Sequence, residues 1–96
     1  MKRLALVTGG TRGIGASISQ KLQQAGYAVA AVYHGNDNAA HSFQKQTGIP
    51  IYKWDVGNFK ACQEGVSKIV KDLGHIDILV NNAGITRDGA LHKMDY

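Results

Sequence analysis

Two groups of residues in this chain have types and spacings that could do chemistry. The first is Thr8-Gly9-Gly10-Thr11-Arg12-Gly13-Ile14-Gly15. Glycines at 9, 13 and 15 clear side chains from a place where backbone can approach a bulky anion. A helix opening at Gly13 directs free N–H groups and the positive end of its dipole at the same spot. The spacing G-x-x-x-G-x-G departs from the commoner G-x-G-x-x-G, but the mechanics are shared. Triphosphate loops require a lysine and a hydroxyl directly after the last glycine. Gly13-Ile14-Gly15-Ala16 offers neither, so nucleoside triphosphates are disfavoured. Glycines also close ligand-free tight turns. What favours a dinucleotide pyrophosphate is the setting, between a buried strand and an amphipathic helix.

The second group is Tyr33-His34 at the end of the next apolar run. The adenosine ribose of a dinucleotide lies near that position, about 20 residues beyond the turn, and NAD sites place a carboxylate there for the 2′-hydroxyl. Tyr33 and His34 carry no such charge, and Arg12 supplies a cation from the turn, so a 2′-phosphate is permitted and NADP(H) is favoured over NAD(H). Asp55-Val56 and Asn81-Asn82-Ala83-Gly84 each follow a further apolar run. Asp55 and Asn81 could equally cap strand ends by holding backbone groups, and for Asn81 that structural role is favoured.

Other residue types point away from competing functions. Eleven Lys and Arg against seven Asp and Glu give a formal charge of +4, dispersed from Lys2 to Lys93. That pattern suits a solvated surface or a small anion better than a nucleic acid. Cys62 is alone and the four histidines are far apart, so neither a disulfide nor a metal site is expected. No run is long enough for a membrane span or a signal peptide, which makes the cytoplasm the expected compartment.

These residues need elements to position them, and the chain alternates short apolar runs with helix-period segments. Strands are expected at about 3–8, 28–33, 49–54 and 76–81. A first helix from Gly13 carries Ile14, Ile18, Leu22 and Ala25 inward and stops at Gly26. A second, capped by Asn38, ends near Gly48. A third, from about Asn58 to Leu73, faces Phe59, Cys62, Val66, Ile69, Val70 and Leu73 inward. The order βαβαβαβ predicts an α/β fold of Rossmann type, the first four parallel strands of a three-layer, doubly wound sheet. All 96 residues read as one partial NAD(P)-binding domain, whose last strand, Ile76 to Val80, is left as an apolar edge. Marginal stability, aggregation or dependence on a partner is expected.

Thr8 to Gly15, Asp55-Val56 and Asn81 to Gly84 together resemble the short-chain dehydrogenase/reductase superfamily. More narrowly, Tyr33 to Asp37, Thr47 to Pro50, Tyr52 to Val56 and Asn82 to Asp88 resemble its bacterial acetoacetyl-CoA reductases, which use NADPH in polyhydroxybutyrate synthesis. The related 3-oxoacyl carrier-protein reductases share Asn82 to Asp88; Tyr52 to Val56 tips the reading to the CoA enzymes. The resemblance implies that Gly9, Arg12, Gly13, Ile14 and Gly15 surround the pyrophosphate and adenosine ribose. It implies that Asp55 accepts from the adenine amino group and Val56 packs on the ring. Asn82, Ala83, Gly84 and Ile85 would line the path to the nicotinamide ribose, and Asp88 would border the substrate. Full-length members form homo-oligomers.

The same resemblance implies a catalytic serine and a Tyr-x-x-x-Lys pair beyond the Asn-Ala-Gly segment, with the tyrosine as general acid. None of Tyr27, Tyr33, Tyr52 and Tyr96 has a lysine four residues later within these 96 residues, and family members are about twice this long. These 96 residues are therefore expected to hold a cofactor half without catalytic residues, inactive alone. A stand-alone dinucleotide-binding module and a decayed reading frame are the alternatives.

Overall fold

The computed structural model describes residues 2–82. The elements run β1 (Leu4–Thr8), α1 (Gly13–Gln24), β2 (Ala28–Tyr33), α2 (Asp37–Thr47), β3 (Ile51–Lys53), α3 (Phe59–Leu73) and β4 (Ile78–Asn81). The four strands form one parallel sheet in the order β3-β2-β1-β4, the predicted Rossmann-type arrangement. β1 is buried throughout, and the four central residues of β2 are buried as well. Continuous apolar runs such as Leu4 to Val7 and Val29 to Val32 are what a sheet covered on both faces requires.

Side chains alternate between two layers, as strand geometry dictates. Leu4, Leu6, Ala30 and Val32 pack with Ile69 of α3, and Tyr52, Trp54, Val56 and Ile76 close around them. Val7, Val29 and Ala31 pack on the other face with Phe43 of α2, Ile49, and Ala16, Ile18 and Leu22 of α1. So α1 and α2 share one face and α3 takes the other. The chain leaves β1 towards β3, then returns across the sheet to set β4 on the far side of β1. That reversal opens a crevice beyond the C-terminal ends of β1 and β4, where open α/β sheets bind ligands.

Several boundaries and faces differ from the sequence reading. α2 is capped by Asn36 rather than Asn38: Asn36 adopts the left-handed conformation (φ 58°, ψ 66°), and its Oδ1 accepts from Ala39 N at 3.0 Å. β3 is only three residues long because Pro50 has no N–H to give a ladder, although its carbonyl accepts from Ala31 N. β4 starts at Ile78, since the Asp77 carboxylate takes the Leu4 N–H at 2.9 Å where a strand carbonyl would otherwise stand.

Ile14 and Ala25, at the two ends of α1, are exposed rather than inward. α3 shows the largest difference. Only Ile69 is fully buried; Cys62 is half-buried, while Phe59, Val66, Val70 and Leu73 are exposed. The apolar stripe on α3 is wider than the sheet beneath it. Among the described residues β4 is an edge strand, as the strand order predicted, and Leu79 on it is 64% exposed.

Candidate functional site

The glycine turn sits at that crevice. Gly9 and Gly13 have positive φ (62° and 58°), which glycine adopts without steric cost. Gly15 is buried against the turn: a Cβ there would collide with the Gly9 carbonyl and come within 2.8 Å of Asn82 Nδ2. The buried Ser19 hydroxyl donates to the Gly10 carbonyl at 3.0 Å, and Asn82 Nδ2 donates to the Gly9 carbonyl at 3.3 Å. The helix and the residue after β4 thus clamp the carbonyls of two glycines that have no side chains of their own.

What that turn presents is positive. α2 and α3 are capped by Asn36 and Asn58, whose side chains accept from Ala39 N and Ala61 N. α1 has Arg12 at its N-cap, no side-chain cap and no acidic residue in its first turn. The first N–H groups of a helix have no intrahelical partner, so here they and the helix dipole remain available to an anion. The Arg12 guanidinium stands at the same end. Removing the second side of the clamp gives a first prediction. Ser19→Ala should cost about 1–3 kcal/mol, because the buried Gly10 carbonyl loses its donor. Urea denaturation checks this.

Two hollows adjoin the turn. One, of about 250 Å³, is lined by Gly9, Thr11, Arg12, Tyr33, His34, Gly35 and Asn82. The other, of about 220 Å³, shares Gly9, Tyr33 and His34 and extends to Trp54, Asp55 and Val56. The structure therefore brings Arg12, Tyr33, His34, Asp55, Val56 and Asn82 together around Gly9, with Gly13, Ile14 and Gly15 following in the first turn of α1. Ile14 is 73% exposed there and packs on neither layer.

Asp55 uses one carboxylate oxygen to cap its own turn, accepting from Gly57 N at 2.8 Å; it both caps a strand end and borders the hollow. Asn81 is structural, since the Thr8 hydroxyl donates to its Oδ1 at 3.1 Å and ties β4 to β1. Ala83, Gly84, Ile85 and Asp88 lie outside the described residues.

Charges beside Tyr33 are organised by two residues to which the sequence reading gave no role. Asp37 pairs with Lys53 Nζ at 3.0 Å, and that hydrogen bond holds its carboxyl below the usual carboxylate range. The same contact raises the Lys53 ammonium pKa. Burial pushes the Tyr33 phenol up, and its hydrogen bond to Asp37 adds to the shift. Ser19 was also missed, and Thr11 and Trp54 entered only as members of longer motifs; a serine among the spaced apolar residues of α1 was the one signal for Ser19. Among the described residues no three His, Cys, Asp or Glu side chains group to hold a metal. No helix there is long and apolar enough to cross a membrane.

Comparison with known proteins fits this geometry. A family model described as short chain dehydrogenase matches residues 3–96. The chain is 63% identical over 94 residues to an acetoacetyl-CoA reductase of Shinella zoogloeoides, covering 98% of this chain and 39% of that protein. It is 38% identical over 99 residues to a 3-oxoacyl-[acyl-carrier-protein] reductase of Staphylococcus epidermidis, covering 98% and 41%. A variant of Serratia marcescens short-chain dehydrogenase/reductase superposes with a TM-score of 0.80 at 36% identity, covering 88% of this chain and 36% of that one. The chain thus spans about two-fifths of the length of the curated relatives it matches.

Proposed function

The chain belongs to the short-chain dehydrogenase family, and from that premise we propose that it is the dinucleotide-binding part of an NADPH-dependent acetoacetyl-CoA reductase. The observation that carries the cofactor reading is the meeting of Gly9, Arg12, Tyr33, His34 and Asn82 around one hollow at the open N-terminus of α1. The residues fit a dinucleotide. A side chain at Gly15 would fill the cradle, the helix end is uncapped, and no carboxylate lines that hollow. In this reading Gly9, Arg12, Gly13, Ile14 and Gly15 surround the pyrophosphate, with Arg12 and His34 facing a 2′-phosphate beside Tyr33. Asp55 offers its second oxygen to the adenine amino group and Val56 packs on the ring. Asn82, Ala83, Gly84 and Ile85 lead to the nicotinamide ribose, and Asp88 borders the substrate. When bound, the nicotinamide supplies the hydride; these residues bind and orient it.

The substrate reading rests on the relatives: 63% identity to the CoA enzyme against 38% to the carrier-protein enzyme. It implies reduction of a 3-oxoacyl thioester to the 3-hydroxyacyl thioester in polyhydroxybutyrate-type synthesis, in the cytoplasm, by a homo-oligomer that needs neither nucleic acid nor membrane. Serine, tyrosine and lysine of the catalytic set are assigned to no position of these 96 residues. A polypeptide of these residues alone should therefore show no acetoacetyl-CoA-dependent NADPH oxidation, and a measured rate with pure material would sink that expectation. Carrier-protein thioester is the second reading, kept because the carrier-protein reductases resemble Asn82 to Asp88 equally; comparing kcat/KM for the two thioesters on the full protein separates them. A binding module without catalysis would bind NADPH at micromolar Kd as a monodisperse short chain, and a decayed frame would not fold.

Calorimetry tests the cofactor. NADPH should bind more tightly than NADH, and Arg12→Ala should weaken NADPH about tenfold more than NADH, since a guanidinium–phosphate contact is a charge-assisted hydrogen bond. Equal losses for both cofactors would assign Arg12 to the shared pyrophosphate or to the fold.

A further inference from the structure

We infer that Lys53 sets the dinucleotide preference of this cleft without lining either hollow, by holding the Asp37 carboxylate away from the ribose end. The inference rests on the cofactor reading above. Lys53 closes β3 and stands in register with Tyr33, the last residue of β2, so both side chains leave the same face of the sheet. Asp37 opens α2 on that face and receives Lys53 Nζ at 3.0 Å on Oδ1 and 3.3 Å on Oδ2. The Tyr33 phenol donates to the same carboxylate, and Tyr33 lines both hollows.

Asp37 is the only acidic residue among the first 54 of the chain. The other charged or titratable side chains of this corner are Arg12 and His34 on the nearer hollow, Asp55 on the second, and His41 facing Asp37 from α2. Asp37 is the carboxylate tied to Tyr33, and Lys53 is the cation that hydrogen-bonds it. With Lys53 in place, both oxygens are engaged and the pair is close to neutral. Without it, a free carboxylate stands one hydrogen bond from the cleft wall. A 2′-phosphate, with close to two negative charges, is then repelled, while a 2′-hydroxyl gains an acceptor. Both effects move the NADPH-to-NADH ratio in one direction.

The test is Lys53→Gln in the full chain, with calorimetric Kd values for NADPH and NADH at low and high salt. The ratio should fall about three- to tenfold towards NADH at low salt, and the change should shrink as salt screens these exposed charges. Adding Asp37→Asn should restore the ratio, and Lys53→Arg should preserve it. A structural role would weaken both cofactors together and ignore salt; that result, or an unchanged ratio in Lys53→Gln, overturns the inference. If the parent chain binds neither dinucleotide, the cofactor reading fails and this inference falls with it.

Discussion

Replacing Gly15 with alanine should abolish dinucleotide binding, raising the Kd for NADPH by two orders of magnitude or more, while far-UV circular dichroism stays close to that of the parent. The added methyl meets the Gly9 carbonyl oxygen, its carbon at 2.7 Å and Asn82 Nδ2 at 2.8 Å. Backbone cannot rotate away as a side-chain tip can. Relief needs the turn to lift from the helix and Asn82 to release the Gly9 carbonyl. Overpacking of this kind costs about 1–3 kcal/mol in stability, which a folded chain can absorb. Binding suffers more, because the misplaced atoms are the ones that would face the pyrophosphate, and displacements near 1 Å can cost about two orders of magnitude at a preorganised site. Gly13→Ala is the control. Its Cβ would stand in open space, and the strain arises only from φ +58°, about 1 kcal/mol for a non-glycine residue. Similar affinities for the two variants would show that the contact at Gly15 does not shape the site.

Ile69→Ala should remove about 2–4 kcal/mol of stability, the cost of emptying a large aliphatic site in a core that closes only in part. Ile69 is completely buried, and no other residue of α3 is. It inserts among Leu4, Leu6, Ala30 and Val32, so it seats the whole helix on the sheet. Single domains hold only about 5–15 kcal/mol in total, which makes this substitution a large fraction of the reserve. Val70→Ala on the same helix, at a position 45% exposed, should cost well under half as much. Urea midpoints of the two variants in the full chain make the comparison, and equal losses would mean that α3 is held elsewhere.

The contrast along α3 also marks what the sequence could and could not reveal. Its apolar positions at 59, 62, 66, 69, 70 and 73 predict a helix with one apolar face, and the helix is there. Periodicity reports that a face is apolar, not how much of it a neighbouring sheet reaches, so Phe59 reads as inward and is 77% exposed. The strands were legible because buried parallel strands must be continuously apolar. Their ends were not: Pro50 shortens β3 by lacking an N–H for the ladder, and Asp77 shortens β4 because its carboxylate takes the Leu4 N–H of the neighbouring strand.

Around the two hollows, Gly9, Arg12, Tyr33 and His34 could be placed from the glycine turn and the end of the next strand, while Asp55 and Asn82 were named from the family resemblance. Ser19 and Lys53 were given no role. Each acts through one partner, Gly10 or Asp37, and no local pattern announces a partner. Asn36 took the cap from Asn38 for a related reason, since only the tight turn after His34 makes the left-handed conformation worth adopting.

The position of β1 carries a kinetic consequence. It is the first strand of the chain and an inner one in the sheet, so its second neighbour arrives only when β4 does. Asn82 and the Gly9 carbonyl that it holds are 73 residues apart, and closing so long a loop must precede any reward from the contact. β1, β2 and the helix between them can assemble from near neighbours, but the glycine turn gains its last restraint in the final long-range step. A refolding chain should therefore recover helical signal before it recovers affinity for a dinucleotide. The lag between those two signals would time the closure of the sheet.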